Sequence, residues 1–155
     1  MSNFWLHTPL DAAQRAGSAG GGEAVATLHT LADAAAVVMA LSDAGVRQMA
    51  CIVLHCAADA LRRALRPEGA EVARAAGALL AAGALLRARV CDSVDAVRAA
   101  AVEALGAVLA AAGAAGPLAA QMGAFADEAR AEVRREVAEG ASGEVLEAAR
   151  VLLGE

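Results

Sequence analysis

In residues 42–66 the apolar side chains return every three or four positions, and the same spacing governs most of the chain. Stepped at about 100° per residue, Val46, Met49, Ala50, Val53, Leu54, Ala57, Ala60, Leu61 and Ala64 fall on one face of a helix. Arg47, Gln48, Cys51, His55, Asp59, Arg62 and Arg66 fall opposite, and Cys56 lies at the boundary of the apolar face. The first face is expected to be core and the second a solvated stripe. Capping and breaking residues divide the rest. Thr8-Pro9-Leu10-Asp11 opens a short helix to about Arg15, and the Gly-rich run 17–22 stops it. Glu23 opens a helix to about Leu41, and Ser42-Asp43 caps the next, which ends before Pro67. Pro67-Glu68 begins a helix to about Val90, and Asp92-Ser93 caps one ending near Gly113. Pro117 starts a helix to Glu139, and the last carries Val145 to Leu153.

Six main helices joined by short turns predict antiparallel neighbours in three hairpins, 23–66, 68–113 and 117–153. The expected fold is therefore all-α, either a stack of hairpins or a bundle. Residues 1–22 form an N-terminal arm with a Gly-rich hinge, and 23–155 form one helical domain. The second helices of the first two pairs are self-similar at an offset of 51: Ser42 with Ser93, Val46-Arg47 with Val97-Arg98, Ala50 with Ala101, Leu54 with Leu105. The segment DSVDAVRAAAVEALGAVL, 92–109, resembles the second helix of a HEAT repeat, and 42–54 resembles it less fully. That resemblance implies a stack in which Val97, Ala101 and Leu105 pack between hairpins. A fainter likeness, over 24–66, is to bacterial helical proteins encoded beside secretion-system genes.

Composition sharpens this picture. Phe4, Trp5 and Phe125 are the only aromatics, so the core is built from Ala, Leu and Val and suits closely packed helices rather than strands. All 13 basic residues are arginines, which fits a GC-rich bacterial genome. The missing lysine excludes Schiff-base chemistry and the phosphate lysine of a P-loop. A net charge of −5 with scattered arginines is no basic footprint, so no nucleic-acid partner is expected. The apolar runs 75–86 and 104–120 are mostly Ala and Gly and fall short of a membrane span. No signal peptide is read at the N-terminus, and three cysteines suit a reducing cytoplasm.

The candidate chemistry is sparse. Cys51 and His55 share a helix face at i,i+4 and would supply two metal ligands, with His7, His29 and Cys91 as completions, but no second ligand pair has the spacing of a structural site. His29 is expected at the edge of the core. A Cys51–Cys56 disulfide is excluded, because five helical residues rise about 7.5 Å. No metal, cofactor or catalytic activity is expected. A protein partner is expected instead, with self-association through flat alanine surface. Its contacts would be Arg47, His55, Asp59, Arg62 and Arg66 on the stripe, and Phe4, Trp5 and Leu6 on the arm. The function that follows is a non-catalytic interaction or scaffold module of a bacterial assembly. The alternative is a small-ligand or metal-binding bundle using His29, Cys51 and His55.

Overall fold

The computed structural model describes residues 9–65 and 71–155, with side chains from residue 22 onward. The helices are α1 (Pro9–Val38), α2 (Ala44–Ala64), α3 (Glu71–Arg89), α4 (Asp95–Ala112), α5 (Gly116–Ala138) and α6 (Gly143–Leu153), with no strand among the described residues. Asp43 caps α2, its carboxylate accepting a hydrogen bond from the Val46 N–H at 3.2 Å. Pro117 sits in the first turn of α5, where its missing N–H costs nothing. Gly140, at φ 106, makes the α5–α6 turn in a backbone region closed to most side chains.

Two differences from the sequence reading concern the start of the chain. α1 is continuous through residues 17–22, where a hinge is expected, so no break separates 9–22 from the rest of α1. Glycine costs a helix about 1 kcal/mol each, yet propensity is a weak prior against tertiary packing. At Gly22 α1 runs close to α3: a Cβ there would lie 3.6 Å from the Glu71 carboxylate. α1 also ends three residues early, at Val38, and residues 39–43 form the turn into α2. Phe4, Trp5, Leu6 and His7 lie outside the described residues, as does Arg66.

The helices pair as α1–α2, α3–α4 and α5–α6, and the hairpins stack in two layers. α1, α3 and α5 follow one another in the first layer, and α2, α4 and α6 in the second. Among the described residues no contact joins the first hairpin to the third, so the array is open rather than closed into a bundle. Central α4 touches α2, α3, α5 and α6, which explains its near-continuous apolar sequence. Val97, Ala101 and Leu105 are fully buried there, and Ala50 and Leu54 are buried at the matching positions of α2. Phe125 of α5 lies in the gap left by Gly83 of α3, with the Arg87 guanidinium 5.6 Å from its ring centroid. No described helix is long and apolar enough to cross a membrane.

Candidate functional site

The buried face of α2 is only in part the one expected: Ala50, Leu54, Ala57 and Leu61 are buried, but Ala60 is exposed. Arg47, Ala50, Cys51, Leu54, Ala57, Ala58 and Leu61 face the interior, while Val46, Met49 and Val53 are exposed. The helix is turned so that one flank of its broad apolar surface meets α1 and α4 and the other faces outward. Arg47 is thereby removed from the partner-contact set: it is 8% exposed and fully engaged. Its Nε and Nη2 donate to Asp92 Oδ2 and Oδ1 at 2.9 and 3.0 Å, and its Nη1 donates to the Leu41 and Ser42 carbonyls at 3.0 and 2.9 Å. The guanidinium fork thus ties the α1–α2 turn to the α3–α4 turn.

Asp92 is satisfied to the same degree. Besides Arg47 it accepts the Val94 N–H at 3.0 Å, which helps start α4, and Arg89 Nη1 at 3.4 Å. The hydrogen-bonded Arg47 guanidinium holds the Asp92 carboxyl below the usual carboxylate range, and Asp92 in turn raises Arg47. The repeat-equivalent Arg98 is tied less completely. It reaches Asp95 at 3.1 Å and Glu136 of α5 at 3.6 Å, and its Nε is buried without a partner among the described residues.

The cysteines of CIVLHC exchange roles. Cys51 is fully buried, and burial, with Asp92 adding to it, pushes its thiol up to about 11, so it is protonated at neutral pH. Cys56, expected at the core boundary, is exposed, as is Cys91 beside the α3–α4 turn. His29 is exposed on α1 and lies over Gly77 of α3, rather than at the core edge. The four described residues of the metal alternative therefore occupy four settings: Cys51 inside, His55 in a groove, His29 on the first layer and Cys91 at a turn. Among the described residues no group of three or more His, Cys, Asp or Glu side chains is placed to hold a metal ion.

Three of the sequence-expected contacts do come together. His55, Asp59 and Arg62 form one wall of a groove of about 570 Å³ that crosses α2, α4 and α6. Gly106, Ala107 and Ala110 of α4 keep its floor low, Glu147 and Val151 of α6 form the far wall, and Glu103 and Arg130 add charge. Asp59 is held by Arg62, at 2.9 Å, and by Arg63, and these bonds lower its carboxyl from the usual value. Such exposed pairs contribute little to stability. Glu103 has no ion-pair partner among the described residues, which leaves it available to a bound molecule.

Glu103, Arg130 and Glu147 are absent from the sequence-derived set. One signal did point to the first: Glu103 is the only charged residue between Arg98 and Asp127. A lone acid in an apolar helix marks where that helix meets water. Arg130 and Glu147 sit in charge-rich stretches and carry no such mark.

Compared with known proteins, the chain matches no family model, no curated protein and no solved structure. What it does has to be argued from this geometry.

Proposed function

We propose that the chain is a non-catalytic protein-interaction module whose α2–α4–α6 groove receives a segment of a partner protein. The observation that carries this reading is the groove itself: it spans three helices, has a small-residue floor, and bears both signs of charge on its walls. A small floor lets a partner backbone approach closely, and charged walls fix its register more than they add affinity. The lining includes no hydroxyl or thiol, so it holds no nucleophile for His55 to activate, which supports binding over catalysis. Three free cysteines, two of them exposed, favour a cytoplasmic setting, and the arginine-only basic set favours a bacterial one.

Affinity capture from the native host tests this with wild type and three variants. Ala110→Trp fills the groove, Glu103→Arg reverses its unpaired charge, and Thr30→Ala alters exposed surface on α1 as a control. The expected result is a protein retained by wild type and by the control and lost from both groove variants, with unchanged helicity. Equal retention by all four chains, or none by wild type, overturns the proposal.

A further inference from the structure

The geometry points to a second copy of this chain as the occupant of the free end of the stack, docked α2 against α2 in antiparallel orientation. Among the described residues the faces between hairpins are covered, and the outer face of the first hairpin is not. Among the described residues, six of the nine large hydrophobic side chains that are exposed lie on this hairpin and its turn: Val37, Leu41, Val46, Met49, Ile52 and Val53. An apolar groove of about 420 Å³ runs between α1 and α2, with Leu31 and Val38 on one side and Val46, Met49 and Val53 on the other. Its one charged lining residue, Asp43, is engaged in capping α2.

The exposed side of α2 has a register. Val46, Met49, Val53, Cys56 and Ala60 follow one another at spacings of three, four, three and four, and all are exposed. That is the spacing of a helix–helix seam, in which each side chain enters a hole on a facing helix. The hole it needs belongs to another uncharged helix. The far end of the stack does not offer one, since α5 and α6 expose Asp127, Arg134, Glu144, Glu147 and Arg150. Head-to-tail stacking would set apolar surface against charge. A two-fold, head-to-head contact sets it against itself.

Side-chain size and charge select the antiparallel form. The N-terminal half of the seam is large, Val46 and Met49, and the C-terminal half is small, Cys56 and Ala60. Antiparallel docking about a two-fold axis near Val53 places large against small, whereas parallel docking stacks large on large. It also brings Asp43 at the start of one α2 towards Arg63 at the end of the other. The hairpin face, two helices wide and about 30 Å long, projects roughly 600 Å². That approaches the ~800 Å² per partner of a stable dimer. The face is separate from the α2–α4–α6 groove, so dimer formation leaves that groove open.

Sedimentation of the full-length chain between 1 and 100 µM tests the proposal. Wild type is expected as a dimer, and Met49→Glu, at a side chain 58% exposed, as a monomer with unchanged helicity and at least ~100-fold weaker association. In a Cys56→Ser, Cys91→Ser background, Val53→Cys is expected to form a disulfide-linked dimer on mild oxidation, and Ala60→Cys is not. A monomeric wild type, or a dimer that survives Met49→Glu, overturns the proposal. So does cross-linking through position 60, which parallel docking gives and antiparallel docking does not. Loss of the dimer in Phe4→Ala, Trp5→Ala with Met49→Glu still dimeric overturns it in favour of the N-terminal segment.

Discussion

Replacing Gly83 by alanine tests the packing of the first layer most directly. In an exposed helix interior this change is stabilising by about 1 kcal/mol, because alanine is the better helix former. At Gly83 the structure predicts the opposite sign. A Cβ there would lie well inside 3.0 Å of the Phe125 Cζ and 2.9 and 3.1 Å from Cε1 and Cε2. The ring cannot withdraw freely, since Arg87 covers it and is itself held by Glu132 at 2.8 Å and Glu128 at 3.3 Å. Overpacking of this kind costs about 1–3 kcal/mol. Set against the propensity gain, Gly83→Ala should lose up to about 2 kcal/mol net. For a chain of this length that is a fall in Tm of up to about 8 °C. Urea melts followed by helical circular dichroism measure it. The control is the Phe125→Ala background, where the obstruction is gone and Gly83→Ala should stabilise by about 1 kcal/mol. The two sites should therefore couple by about 1–3 kcal/mol. If Gly83→Ala raises stability in the wild-type background, or the coupling is zero, α3 and α5 do not meet at this gap.

Further expectations concern the interior. Asp92 has a depressed carboxyl, so its contribution is present above the ordinary carboxylate value and lost as pH falls through the lowered one. Urea melts at several pH values should show Asp92→Asn less stable than wild type at pH 7, with the gap narrowing below pH 4; a constant gap refutes the assignment. Native alkylation of the Met49→Glu chain, whose seam is left open, read by intact mass at pH 8, should label Cys56 and Cys91 within minutes and spare Cys51, whose thiol is buried and raised to about 11. A third rapid label contradicts the burial. Arg47→Lys should melt well below wild type, because an ammonium cannot reproduce the planar fork on Asp92 while reaching both turn carbonyls.

The helix order and hairpin pairing were legible because capping and breaking residues mark boundaries locally: Asp43, the turn at 92–94 and Pro117 act within a few residues of themselves. The continuous α1 was not legible, since its glycines argue locally for a break. The orientation of α2 was lost for a different reason. Its apolar residues span more than half the helix, and periodicity alone does not say which part a neighbour will cover. Arg47 decided the matter, and its partner Asp92 lies 45 residues away in sequence. An arginine read by itself belongs outside; paired with a carboxylate and two carbonyls it belongs inside. The same rotation moved Cys51 inward, left Val46, Met49 and Val53 outside, and kept His55, Asp59 and Arg62 at the groove.

That pair also answers a difficulty raised by the composition. Alanine faces are nearly flat, and two such helices can slide past each other with little change in buried area, so apolar packing alone sets a register weakly. Arg47 binds one hairpin's turn to the next in a single geometry, and His55, Asp59 and Arg62 sit two to four turns further along the same helix. The groove walls therefore inherit their alignment from the pin. Replacing it by Arg47→Met with Asp92→Leu separates stability from register, because well-packed apolar residues often equal a buried ion pair in stability. The expected outcome is a Tm no lower than wild type, with faster amide exchange along α2 and α4 and weaker retention of any groove partner. Unchanged exchange and retention would show that the alanine faces set their own register. A large fall in Tm would show instead that the pair is there for stability.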